Sequence, residues 1–170
     1  RGAFVAQLSR QDLDEVYTLR VVLERFALER TVEFAGETLI KDFLETVEAM
    51  QAATSQEVTE QEAAELDLRF HDLIYQGSNH RRLLDSWGNL RPQIHVLLLN
   101  RNVAHRDFRE QLVASHRALL NAIVDGDRER ALVLLDEHLH GSYQRVSAMH
   151  AADGGAATGS GGASTNERQG

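Results

Sequence analysis

The sequence predicts an all-α chain, on two observations. Apolar residues recur every three or four positions through most of its 170 residues, the period of a helix that buries one face. No stretch alternates apolar with polar residues as a half-buried strand does.

The elements follow in order. Ser9 has the side chain of an N-cap and opens a helix to about Phe34, with Leu13, Val16, Leu19, Leu23, Phe26 and Ala27 as its apolar stripe. Gly36 stops it. A second amphipathic helix runs from Thr38 to about Ala53 on Leu39, Phe43, Val47 and Met50. The third runs from Thr59 to Tyr75 and ends near Gly77-Ser78-Asn79. The apolar stretch Leu83 to Leu99 contains Gly88 and Pro92, and predicts a helix broken or kinked near the proline, which removes a hydrogen bond and crowds the preceding turn. Another helix spans about Asp107 to Val124. Gly126 is its stop, and Asp127 the N-cap of a last helix running to about Met149. The total is six or seven helices, according to the break at Pro92. Residues 150–170, rich in Gly, Ser and Ala, are expected to be a disordered tail. Arg1 to Leu8 are extended in character and start abruptly, as though cut from a longer chain.

Length and composition bound the function. The chain fits one domain with a real core, and its 42% hydrophobic and 26% charged residues are ordinary for a globular protein. The absence of cysteine excludes disulfides and thiolate metal sites and fits a reducing compartment. No apolar run approaches the ~20 residues of a membrane span, and none resembles a signal peptide. The expected location is therefore cytoplasmic. With a net charge of −8 and no basic stripe, these residues alone are not expected to bind nucleic acid. Eight histidines stand against a single lysine, Lys41, which directs the search to metal ligands.

Asp67 and His71 lie four apart on the third helix and leave the same face. That face also carries Ala63, Leu66, Phe70 and Ile74, where a carboxylate is costly unless paired, hydrogen-bonded or metal-bound. His116 falls in the stripe Leu112, Val113, Leu119, Leu120, Ile123, and His138 in Ala131, Leu134, Leu135, Ser142. Taken singly, each has an ordinary explanation: a core histidine bonded to a carbonyl, or an Asp67–His71 ion pair. Together, three histidines and an aspartate on the core faces of three helices converge if those helices pack, and bundles build metal sites in this way. The donor set suits Zn²⁺, Ni²⁺, Mn²⁺ or Fe²⁺, with Zn²⁺ as the expectation. Octahedral positions left open would admit a small carboxylate. The other histidines are weaker candidates. His80, His105, His140 and His150 are expected to be solvated, and His95 to pack or line a cavity.

The segment Asp67-Leu68-Arg69-Phe70-His71, followed by Ser78-Asn79 and Leu83-Leu84, resembles the effector-binding (FCD) domain of GntR-type transcription regulators of the FadR subfamily. So does His116-Arg117-Ala118-Leu119-Leu120-Asn121-Ala122-Ile123 with Gly126-Asp127, Ala131 and His138. Leu19-Arg20 and Leu23-Glu24 also stand where that family carries an Arg and a Glu. The likeness spans about residues 9–148. It implies an antiparallel bundle, a homodimer, a metal held by Asp67, His71, His116 and His138, and a small organic acid such as a hydroxy acid or sugar acid beside it. Arg20 and Asn79 become candidate effector contacts, the former as a bidentate fork for a carboxylate; the plainer reading of Arg20 is an ion pair with Glu24. Arg91 and Arg101, flanking the proline segment, are further candidates. Such regulators carry an N-terminal winged helix-turn-helix that is missing here, so DNA would be reached only through that absent domain. Arg1 to Ala6 resemble the last strand of its wing, followed by the linker.

The function this implies is a ligand switch: a carboxylate effector beside the metal that favours one dimer arrangement over another. The rival is a metal-dependent hydrolase or lyase using the same four residues. Asp67 is the only evident buried carboxylate, which leaves no general base and counts against catalysis. A third reading is a metal-free bundle that only dimerises.

Overall fold

The computed structural model describes residues 9–56, 58–104 and 108–157, and holds six helices: α1 (Arg10–Phe34), α2 (Glu37–Thr54), α3 (Glu60–Gly77), α4 (Arg81–Ala104), α5 (Phe108–Val124) and α6 (Arg128–Ala157). No strand occurs among the described residues. The expectations for residues 1–8, for His105, for a helix start at Asp107, for the side chain of His150 and for residues 158–170 lie outside what is described.

The helix starts follow local chemistry. Ser9 Oγ accepts from Asp12 N at 3.1 Å while the Asp12 carboxylate accepts from Ser9 N at 3.0 Å, a reciprocal capping box. Thr59 and Glu62 repeat it at the start of α3. Gly126 takes a φ of +67° and closes α5, and Asp127 Oδ1 then accepts from Arg130 N.

Two expected boundaries differ. Of the break or kink expected near Pro92, the break is absent, because α4 is one helix through Gly88 and Pro92. Both residues lie on its exposed face, so the carbonyl of Gly88 that loses its amide partner can bond to water. Leu83, Trp87, Leu90, Ile94, Leu97 and Leu98 bury the other face and hold the helix together. The second difference is α6, which continues past Met149 to Ala157 through a segment read as tail. Ala148, Ala151 and Ala152 are the strongest helix formers, and no proline follows to stop them.

α3 packs against α1, α2, α4 and α5, while α6 packs against α1, α4 and α5, so α3 and α6 share α1, α4 and α5 as neighbours. The core between them includes Phe43 and Phe70, whose rings lie 4.9 Å apart, with Leu68, Ile74, Leu119, Leu135 and Leu139. At the end of α3 the helices approach closely. A Cβ on Gly77 would lie 2.4 Å from Leu39 Cδ2 and 2.8 Å from Thr31 Cγ2.

α1 is rotated relative to its apolar stripe. Leu19 and Phe26 are 51% and 46% exposed, whereas Arg20 and Glu24 face inward with Leu13, Val16, Ala27, Leu28 and Thr31. The inner face of α1 is thus partly charged, and that charge meets α3.

Candidate metal centre and adjoining cavity

Asp67 and His71 come from α3, His116 from α5 and His138 from α6. One ligand atom of each lies within 4.8 Å of those of the other three. Asp67, His71 and His116 are almost wholly buried and His138 is partly buried. The convergence that helical spacing predicts is present.

Each imidazole is held by its Nδ1 side. His116 Nδ1 donates to the Leu112 carbonyl at 2.6 Å, one turn back on α5. His138 Nδ1 lies 3.2 Å from Ser115 Oγ. His71 Nδ1 meets the carboxylate of Glu24. The Nε2 atoms turn toward one another: His71 Nε2 is 3.2 Å from His138 Nε2 and 3.3 Å from Asp67 Oδ1. Because a carbonyl only accepts, the proton of neutral His116 sits on Nδ1, and its Nε2 is a bare lone pair. Among the described residues neither that Nε2 nor Asp67 Oδ1, both buried, makes a hydrogen bond of good geometry. Two buried lone-pair atoms so placed in one cluster fit a cation. The 3.2 and 3.3 Å separations around His71 Nε2 match donors about 2.1 Å from one ion, which sit roughly 3–3.4 Å apart; the four ligand atoms together lie within 4.8 Å.

The electrostatics divide the histidines. Burial pushes His116 down to about 4, and burial together with His116 pushes His138 down as well, so both are neutral at pH 7. For His71, burial is outweighed by the neighbouring carboxylates of Glu24 and Asp67, which raise its pKa. Asp67 is held well below its ordinary value against burial by the neighbouring His71 imidazole and the charge of Arg101.

A cavity of about 280 Å³ opens beside these residues, lined by Asp67, His116, His138, Ser115, Arg101 and Glu137 among others. Arg101 is 5% exposed; its Nη2 lies 3.3 Å from Asp67 Oδ2 and its Nη1 donates to Ser142 Oγ at 3.0 Å. Asn102 fixes the same guanidinium through Oδ1 at 2.9 and 3.1 Å. A fixed, buried guanidinium next to a cation site suits a carboxylate.

The remaining sequence candidates fall elsewhere. Arg20 is buried, but its Nε donates to Glu24 at 2.9 Å and it lines a separate small apolar cleft between α1, α4 and α6. The ion-pair reading of Arg20 is therefore present in the structure. Arg91 pairs with Asp72 at 2.9 Å and Glu65 at 3.2 Å on a half-exposed flank. Asn79 is exposed, with φ +48° at the end of α3, where its short polar side chain tolerates the left-handed region. His95 lies 3.2 Å from Glu65, and His140 is exposed beside Tyr17 and Gln144.

Sequence reasoning missed the inner role of Glu24. The reading of Asp67 as the only buried carboxylate is overturned, because Glu24 is fully buried. The signal was its spacing: Arg20, Glu24, Ala27, Leu28 and Thr31 share one face of α1. Glu24 is nonetheless engaged on both oxygens, by Arg20 and by His71, and is not a free base. Ser115 and Glu137 were also missed, since polar residues on a half-exposed helix face carry no distinguishing pattern.

Fold and site together define a helical-bundle domain with a buried His/carboxylate cluster opening onto a cavity that Arg101 also lines. Residues 15–141 match the FCD domain family, and the chain belongs to it. It is 28% identical over 149 residues to the gluconate operon transcriptional repressor of Bacillus subtilis (strain 168), covering 85% of this chain and 59% of that protein. It is 26% identical over 131 residues to the uncharacterized HTH-type transcriptional regulator YdhC of the same organism, covering 76% and 58%. The chain thus spans under two thirds of the length of these curated relatives. Among solved structures, E. coli McbR/YncC shares the fold with a TM-score of 0.73 at 22% identity, over 86% of this chain and 68% of that one. A GntR-family transcriptional regulator from Pseudomonas syringae pv. tomato str. DC3000 shares it with a TM-score of 0.67 at 20% identity, over 91% and 63%.

Proposed function

We propose that this chain is the effector-sensing domain of a GntR-type transcription regulator of the FadR subfamily, acting through a small organic acid bound beside a divalent metal. The observation that carries the reading is the pair of buried atoms without a well-formed hydrogen bond, His116 Nε2 and Asp67 Oδ1, within 4.8 Å of ligand atoms of His71 and His138. Asp67, His71, His116 and His138 are the ligands, for Zn²⁺ first, with Ni²⁺, Mn²⁺ or Fe²⁺ also compatible with the donor set. When bound, the ion supplies a Lewis-acid anchor for a carboxylate oxygen.

The chain's own residues do the rest. Arg101 presents a fixed positive charge to the effector's carboxylate, while Ser115 and Glu137 on the cavity wall offer hydrogen bonds to hydroxyls. A hydroxy acid of gluconate's kind satisfies both demands, and the gluconate operon repressor is among the relatives. Arg20, Asn79 and Arg91, which the family resemblance and the sequence offered as contacts, sit outside this cavity and are not needed for it.

The domain is read as a sensor rather than an enzyme: its relatives are transcriptional regulators, and both carboxylates nearest the histidines are already engaged. Signalling requires the effector to favour one arrangement of a homodimer over another, because equal affinity for both shifts nothing. DNA is reached through a winged helix-turn-helix domain outside these residues, in the cytoplasm; no described helix is long and apolar enough to cross a membrane.

The test is metal analysis of protein purified without chelator, followed by calorimetry with a panel of small mono- and dicarboxylates, hydroxy acids and sugar acids. Stoichiometric metal and metal-dependent binding of one acid class are expected. Metal-free protein that cannot be loaded would sink the reading.

A further inference from the structure

We propose that Glu24 is a positioning residue of the metal centre, holding His71 from α1 by its Nδ1 so that Nε2 is presented to Asp67, His116 and His138. The inference rests on the metal reading above and adds a residue outside the ligand set.

The three histidines are not equivalent behind the ring. His116 is backed by a carbonyl and His138 by a hydroxyl, both neutral. Only His71 is backed by a carboxylate, that of Glu24, and both side chains are fully buried. A carboxylate accepting the Nδ1 proton fixes the tautomer with its lone pair on Nε2. It also stabilises the positive charge that spreads onto the ring as Nε2 donates to a cation.

Arg20 completes the arrangement. Its Nε donates to the other Glu24 oxygen at 2.9 Å and it is 5% exposed. Three charged or polar side chains at the α1–α3 contact are costly to bury, and apolar residues of similar volume would often be as stable there. Orientation of a ligand explains their presence where stability does not.

The experiment is competition between the full chain and a chromophoric chelator for Zn²⁺, for wild type, Glu24→Gln and the double variant Arg20→Met/Glu24→Gln, which leaves no unpaired charge. Both variants are expected to bind zinc about 10–100-fold more weakly, with helical circular dichroism unchanged. Long-range proton–nitrogen spectra of zinc-loaded wild type are expected to show His71 protonated on Nδ1, with that proton shifted upfield in Glu24→Gln. Variants that fold and bind zinc within twofold of wild type overturn the role of Glu24 and leave the metal reading standing. Zinc on His71 Nδ1 in the wild-type spectra overturns it even if neither variant folds. Wild type that takes up no zinc removes the metal reading and this inference with it.

Discussion

The Nε2 atoms of His71 and His138 lie 3.2 Å apart, and neither ring can turn away without giving up its Nδ1 partner, Glu24 or Ser115. Two ring nitrogens so placed need a proton or a cation between them. Removing a third contributor exposes which it is. His116→Ala is expected to lose stoichiometric metal, read by elemental analysis and by a smaller zinc-induced rise in melting temperature. A variant that retains one equivalent of zinc would show that the cluster is not the binding site.

Arg101 separates the effector cavity from the outer arginines. Losing a charged hydrogen-bond partner costs about 1.5–3 kcal/mol, so Arg101→Ala is expected to weaken the best carboxylate roughly 10–100-fold. Arg91→Ala and Asn79→Ala, both outside the cavity, should leave that affinity within about twofold. Calorimetry on zinc-loaded protein measures all three. The reverse order would move the effector to the α3–α4 flank, where Arg91 sits with Asp72.

Gly77 tests the packing that aligns α3. A methyl group there would meet Leu39 and Thr31 at distances no real contact shows, and Thr31 Oγ1 would be pushed from its 2.6 Å bond to the Ile74 carbonyl. Gly77→Ala is therefore expected to destabilise by about 1–3 kcal/mol, measured by urea unfolding. An unchanged midpoint would mean that the α1–α2–α3 junction relaxes freely.

Acid should destabilise the metal-free domain through His116. Its pKa is about 4 when folded and 6.5 ordinarily. Between those values the unfolded chain binds a proton that the folded chain refuses, so this contribution is full above 6.5 and lost as pH falls toward about 4. His71, with a raised pKa, works in the opposite sense: its contribution is present below 6.5 and lost as pH rises through its folded value. Comparing unfolding midpoints with His116→Gln, in chelator at neutral pH and between the two His116 values, isolates the first effect. The variant should show the flatter dependence.

The proposed homodimer needs an apolar surface, and α1 offers one. Leu19, Val22 and Phe26 are 51%, 67% and 46% exposed at helical spacing on one face. Val22→Glu is expected to shift sedimentation from dimer to monomer while leaving zinc affinity unchanged. A dimer indifferent to Val22 would place the interface elsewhere.

The helices and their caps were legible because they rest on contacts within one turn: Ser9 with Asp12, Thr59 with Glu62, and Gly126 before Asp127. Asp67, His71, His116 and His138 were legible too. A polar residue amid an apolar stripe must face the core, and four such residues on packed helices must meet. The choice between a broken and a continuous α4 was not legible, because proline's cost depends on whether its freed carbonyl faces water, and only the packing of Trp87, Leu90 and Ile94 decides that.

By itself, then, the sequence determined which residues lie on the inner faces of α3, α5 and α6, and with them the four residues of the cluster. Tertiary structure alone decided what stands behind and beside those donors. Arg20 and Glu24, four apart, look the same in sequence whether they form a solvated surface pair or a buried one. Glu24 reaches His71 only because α1 packs on α3, and Arg101 reaches Asp67 only because α4 does. Periodicity encodes which way a side chain faces along its own helix, but the partner it meets depends on how helices distant in the chain are brought together.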